Sequence, residues 1–316
     1  MPDDDTASAR SRLAVTRREA LAAIGGAALT TSTGTTATAV AGDRRVPVLV
    51  RVYPGAVPLR ARLWYGRDAL RGDWPPPFRD ALAAVESAFE QVLAYARDRE
   101  RLADLDIRVE RGPPIRFPPA ETPLSADAVV PSLETLLGRF RERLRKRDAL
   151  TNRTCHLLLC WSPLNYRVGY GGTLSPNALI GDPDGGGDAQ TVANVGATEV
   201  WDSRSVSRNV AIHETLHTIL SSDVVADIGA AVCDHELGAA VRTAPDTLRI
   251  SPMATAYAGP DRLGGGTRFH GTGCYDHDRF YRHDGTEGIE NWSYTTELSE
   301  ATREGVTRSL ERRFGD

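Results

Sequence analysis

The segment VAIHETLHTILSSD, Val210 to Asp223, holds two histidines four residues apart, with a glutamate directly after the first. On a helix, positions i and i+4 lie one turn apart on the same face, so His213 and His217 can converge on one cation. Glu214 then points into the neighbouring space. Two neutral imidazoles beside a carboxylate form the set that a hydrolytic zinc needs: the metal acidifies a water, and Glu214 as general base takes its proton. The flanking Val210, Ala211, Thr215, Leu216, Thr218 and Ile219 are uncharged. A helix buried beneath a metal requires that, because a charge there would go unpaired. Seven histidines in 316 residues would produce H-E-x-x-H by accident about one time in a hundred. Two ordinary histidines on an amphipathic helix are therefore the weaker reading.

A third ligand must come from elsewhere. His235, in CDHELG, is an imidazole in a polar loop just ahead of Gly238, and imidazole is a common partner for zinc. The four cysteines match no zinc-knuckle spacing. Cys155 and Cys160 bracket HLLL within one expected strand, whose five-residue span of roughly 16 Å exceeds disulfide reach. A Cys233–Cys274 bridge is possible and would fit an oxidising compartment. The histidines of RFHGTGCYDHDRFYRHDG, His270, His277 and His283, read as a solvated loop, and His156 reads as structural.

With these residues in hand, the chain resembles the zincin metallopeptidases, and more narrowly the metzincins. The H-E-x-x-H helix carries the resemblance, together with Met253 in SPMATAY, which is similar to the methionine-containing turn that lies beneath the metal in that group. The resemblance implies an α+β fold of the metzincin kind, with a mixed twisted sheet, long helices, a central active-site helix and a smaller irregular C-terminal subdomain. It also implies Zn2+ as cofactor and a peptide or protein substrate lying extended in a cleft, where the expected edge strand YRVGYGGTL (166–174) can pair with it. Family spacing puts a turn glycine at position 220 and the third ligand at Asp223. Position 220 is Leu220, which resists the left-handed backbone that glycine adopts freely. If the helix ran on instead, Asp223 would rotate about 240° away from His217. Glu236 sits at a spacing similar to that of gluzincin aminopeptidases, although Gly229 and Gly238 weaken the second helix those enzymes use. His235 is the expected third ligand, with Asp223 and Glu236 as alternatives.

Other elements must hold this helix in place. VPVLVRVYP (47–54), DIRVERG (106–112) and CHLLLCWS (155–162) read as strands, and QTVANVGA as a shorter one. PPPFRDALAAVESAFEQVLAYARDRERLA has the 3–4 apolar spacing of a long helix. SADAVVPSLETLLGRFRERLRKRDAL reads as a second, capped near Ser125, and ELSEATREGVTRSLERRF as a terminal one. Residues 1–41 resemble a twin-arginine export signal, with Arg17 and Arg18, a short apolar run and an AVA cleavage site at Ala39–Ala41. The expected organisation is a signal (1–41), a catalytic subdomain (42–222) and a C-terminal subdomain (223–316), secreted or otherwise extracytoplasmic.

A formal charge of −4 gives no case for nucleic acid, and no mature segment is apolar enough to span a membrane. The expectation is an exported zinc metallopeptidase. Its alternatives are a gluzincin-type peptidase using Glu236, and a non-catalytic exported zinc-containing binding or structural protein.

Overall fold

Valines at alternate positions open the first strand, β1 (Val48–Pro54), where Val48, Val50 and Val52 are wholly buried. The computed structural model describes residues 47–66, 70–117, 130–151, 153–165, 168, 171–174, 189–201, 203–228, 231–254 and 279–315. After β1 comes a short helix, α1 (Leu59–Trp64), and then the long α2 (Pro76–Arg97). Pro75, Pro76 and Pro77 start α2 without a side-chain cap. Proline lacks the N–H that a helix N-terminus leaves unpaired, so little capping is needed. Phe78, Ala81, Val85, Phe89 and Val92 recur every three or four residues and are buried.

α2 carries the chain back to β2 (Ile107–Arg111), which pairs in parallel with β1. The next helix, α3 (Leu133–Arg145), is capped by Ser132, whose hydroxyl accepts from the Thr135 N–H at 3.1 Å. The expected cap at Ser125 lies outside the described residues, and the helix proper begins only after Pro131, which disfavours helical backbone in the residue before it. Then follow β3 (Thr154–Cys160), β4 (Gly171–Leu174) and β5 (Ala189–Asn194). The sheet order is β2-β1-β3-β5-β4, with β4 the antiparallel edge and the rest parallel.

Both faces of this sheet are covered, which explains why β3 and β5 are buried at every residue. Leu157 and Leu159 of β3 join the main core with α2. Leu158 and Cys160 point the other way, into a second cluster with Tyr53 and with Leu136 and Phe140 of α3. β5 runs into α4 (Val195–Trp201), then α5 (Arg204–Leu216), which packs against α2 and carries the histidine motif. The short α6 (Ser222–Ala226) follows.

The C-terminal part is more regular than the sequence led us to expect. β6 (Ala239–Ala244) and β7 (Thr247–Ile250) form an antiparallel hairpin, flanked by β8 (Arg282–His283) and β9 (Asn291–Tyr294) in the order β8-β6-β7-β9. β7, β8 and β9 are two to four residues long and β6 is half alanine, so they carry little periodic signal. The closing helix, α7 (Glu300–Phe314), returns to α2. There Arg101 donates to Glu311 and Glu304 at 2.7 Å each, and the Tyr95 hydroxyl donates to Glu304 at 3.1 Å. The described chain is thus mixed α/β, with two mixed sheets and seven helices. Its residues belong to a single unit, Arg45–Asp316. None of the described helices is long and apolar enough to cross a membrane.

Candidate metal centre

Residues Val206–Leu216 of α5 are almost all buried, so the helix offers its side chains to protein rather than solvent. His213 lies in its last turn, and His217 is the residue that ends it. Their Nε2 atoms face each other at 2.9 Å. Each Nδ1 is committed elsewhere: His213 Nδ1 to the Pro252 carbonyl at 2.7 Å, and His217 Nδ1 to Asp234 Oδ2 at 2.6 Å. A ring nitrogen facing a carbonyl or carboxylate must carry the proton. Both Nε2 atoms therefore converge on one point, where a proton on His217 or a cation can bridge them.

His235 completes the group. Ligand atoms of His213, His217 and His235 lie within 4.8 Å of one another, and the three ring centroids are 4.5–5.0 Å apart. His235 arrives on a 3-10 turn, Asp234–Leu237, after the excursion through α6. The helix end itself shows why Asp223 does not arrive first. Thr218 and Ile219 bond back to Thr215 and Leu216 in tightened turns, and Leu220 bonds to Leu216 at 3.0 Å. Leu220 is not among the positive-φ residues, so the chain makes no left-handed exit there. Asp223 instead opens α6, exposed to solvent and ion-paired with Arg312.

Glu236 is also committed elsewhere. Its buried carboxylate accepts from the Val232 N–H at 2.8 Å and lies 3.3 Å from Arg279 Nε, fastening the chain on both sides of His235. Cys233 is disulfide-bonded, whereas Cys155 and Cys160 are free and buried. The expected partner, Cys274, lies outside the described residues, as do His270 and His277. His283 is in β8, against Phe280 and away from the cluster. His156 is buried, with Nδ1 3.0 Å from the Tyr53 hydroxyl.

Met253 lies wholly buried in a second 3-10 turn, Pro252–Ala254; the same turn supplies the carbonyl that holds His213. The two 3-10 turns press together at Gly238, where an added Cβ would come within 2.4 Å of the Ala254 nitrogen. Only glycine fits that gap.

Glu214 is the remaining member. Its side chain is buried, and Oε2 has no hydrogen-bond partner among the described residues. An orphaned buried carboxylate oxygen is costly, and it marks a place built for something else to bind. β4 closes over it: the Thr173 hydroxyl donates to the Glu214 carbonyl at 3.2 Å, and Gly171 lets the strand approach the carboxyl group.

Without a metal, the electrostatics are those of crowded ionisable groups. Burial pushes the Glu214 carboxyl up to about 7, with the neighbouring His217 drawing it partly back. Burial also works against charging His217, but the charge and hydrogen bond of Asp234 outweigh it and push that imidazole up to about 9. His213 is held well below its ordinary value by burial and by the other two rings, and His235 at about 3 by burial and the charge of His217. Asp234 stays ionised: burial opposes this, and the imidazoles around it prevail. The pocket thus holds His213 and His235 neutral, and pairs a charged His217 with the Asp234 carboxylate behind it.

Sequence reasoning singled out the three histidines that the structure brings together, along with Glu214 and Met253. It missed Asp234, the Pro252 carbonyl and Thr173. For Asp234 a signal existed, since an acid directly preceding a candidate ligand is well placed to orient a neighbouring ring. A scan against protein-family models finds no match, and a search of curated proteins finds no similar sequence.

Proposed function

We propose that this chain is an exported zinc-dependent metallopeptidase with a zincin-like, metzincin-related site, in which His213, His217 and His235 hold Zn2+ and Glu214 is the general base. One observation carries the reading: three imidazoles converge beside a buried carboxylate whose Oε2 has no partner among the described residues. The donor set suits zinc, which favours three neutral nitrogens and an open fourth position in catalytic sites. When bound, zinc supplies a Lewis acid that lowers the pKa of water toward neutrality and polarises a carbonyl.

The chain's own residues do the rest. Asp234 and the Pro252 carbonyl fix the tautomers of His217 and His213, leaving Nε2 of each free to ligate. Glu214 Oε2, buried beside the imidazoles, accepts a proton from water and delivers it to the leaving amine. The antiparallel edge strand β4 offers main-chain groups to an extended peptide. Its Thr173 hydroxyl ties the strand to the Glu214 backbone, which keeps substrate and base in register. The Cys233 disulfide accords with an oxidising compartment and so with export.

A mixed-peptide digestion with and without a chelator, run beside Glu214→Ala, tests the proposal. Wild type should cleave, chelator should abolish cleavage, and Glu214→Ala should keep zinc while losing activity. If both proteins hold zinc and are equally inert, the enzyme reading fails and a zinc-containing binding module takes its place.

A further inference from the structure

α1 is amphipathic in the wrong sense for a helix resting on a core. Ala61 faces inward, and Arg62 Nε donates to the Val57 carbonyl at 3.0 Å. Leu59, Leu63 and Trp64 remain 67%, 60% and 86% exposed, and Leu70 just beyond is 43% exposed. At about 100° per residue, Leu59, Leu63, Arg60 and Trp64 span one outward arc of roughly 140°. Scattered apolar residues on a surface need no explanation, but a tryptophan and two leucines on a single arc mark an interaction site.

Charge decides what kind of partner fits. α1 has no acidic residue, and residues 58–73 contain four arginines (60, 62, 67 and 71) against two aspartates (68 and 73), on a chain whose net charge is −4. Arg60 is exposed within this arc and Arg71 is exposed directly after Leu70, while Arg62 and Arg116 line a cavity together with Trp74. Tryptophan and leucine interleaved with arginine are the composition of segments that rest in the interface of an anionic bilayer. We propose that this face docks peripherally on an anionic phospholipid bilayer. Leu59, Leu63 and Trp64 enter the boundary between headgroups and acyl chains, and Arg60 and Arg71 meet headgroup phosphates.

The location leaves the metal centre free. α1 follows the carboxyl end of β1, whereas the histidine helix ends near the start of β3, where the Thr218 hydroxyl donates to Cys155 Sγ at 3.2 Å. Substitutions on α1 touch none of the groups assigned to zinc or to Glu214.

Co-sedimentation of the full chain with vesicles tests this, comparing pure phosphatidylcholine with phosphatidylcholine containing phosphatidylglycerol. Wild type should bind only the anionic vesicles, and less as salt rises. Arg60→Glu with Arg71→Glu should weaken partitioning by about tenfold or more. Leu63→Ser with Trp64→Ser should abolish it, Trp64→Phe should largely retain it, and thermal melting should stay at the wild-type value in all three. The proposal is overturned if wild type ignores both vesicle types, or if Leu63→Ser with Trp64→Ser binds as well as wild type, which would place the contact elsewhere in the chain. It is equally overturned if that double variant turns a wild-type dimer into a monomer while no vesicle is bound, since the face would then join two copies.

Discussion

Asp234 Oδ2 lies 2.6 Å from His217 Nδ1, and Asp234 is the residue immediately before His235. One short turn therefore supplies both the third imidazole and the carboxylate that orients the second. Delivery of His235 and alignment of His217 become a single structural event, fixed by the same four residues.

Asp234→Asn should separate those two roles. Asparagine keeps the shape and leaves His235 in place, but removes the charge that makes His217 a strong donor to metal. Zinc affinity should fall by about 10- to 100-fold, measured by competition against a chromogenic chelator. An affinity equal to wild type would show that His217 needs no such support.

Substitutions among the three candidate third ligands should give three distinct results. His235→Ala should lose zinc on dialysis, whereas Asp223→Ala should keep it, because Asp223 is exposed and paired with Arg312. Glu236→Gln should also keep zinc yet destabilise the fold by about 1–3 kcal/mol, because the buried carboxylate serves Val232 and Arg279. Metal content by elemental analysis and urea midpoints read both effects. Zinc retained in His235→Ala and lost in Glu236→Gln would reverse the assignment.

Periodic features were legible in the sequence, and features of chain path were not. Val48, Val50 and Val52, the leucines of β3 and the spacing of α2 announced buried strands and a long helix, because burial on a regular element leaves a period. The motif placed His213 and His217 for the same reason. No period governs the journey from His217 to His235. It depends on Leu220 staying right-handed, on α6, and on a distant Arg312 that occupies Asp223. The β6–β7 hairpin escaped notice because Ala239 and Ala240 are small and its strands short. Its one clear cue was Pro245-Asp246 at the turn.

His156 gives the fold an acid sensitivity that is independent of metal. Burial, then the charge of Arg51, holds its pKa at about 3, while the unfolded chain titrates at the ordinary value of 6.5. Because the folded value is the lower one, unfolded chains take up the proton first as the pH drops. The contribution is intact above pH 6.5 and is lost progressively toward pH 3, with a ceiling of about 5 kcal/mol. In chelator, so that metal release does not enter, His156→Gln should show a flatter fall in stability between neutral and acid pH. Parallel stability profiles for the two proteins would exclude this role.

Gly171 should be the least replaceable residue of β4, for a reason of space. A Cβ there would lie 1.9 Å from the Val192 carbonyl oxygen and 3.1 Å from Glu214 Cδ. Gly171→Ala must push the edge strand off β5 or shift the general base, and either displaces the strand that would hold substrate. Stability should drop by about 1–3 kcal/mol, as overpacking does elsewhere, and kcat should fall while zinc remains bound. Gly138 is the matched control: it sits in α3 with nothing near its missing Cβ, so Gly138→Ala should add about 0.5–1 kcal/mol through helix propensity alone. Urea unfolding and peptide hydrolysis separate the pair. Wild-type stability and turnover in Gly171→Ala would mean that β4 does not press on Glu214 as closely as 3.1 Å requires.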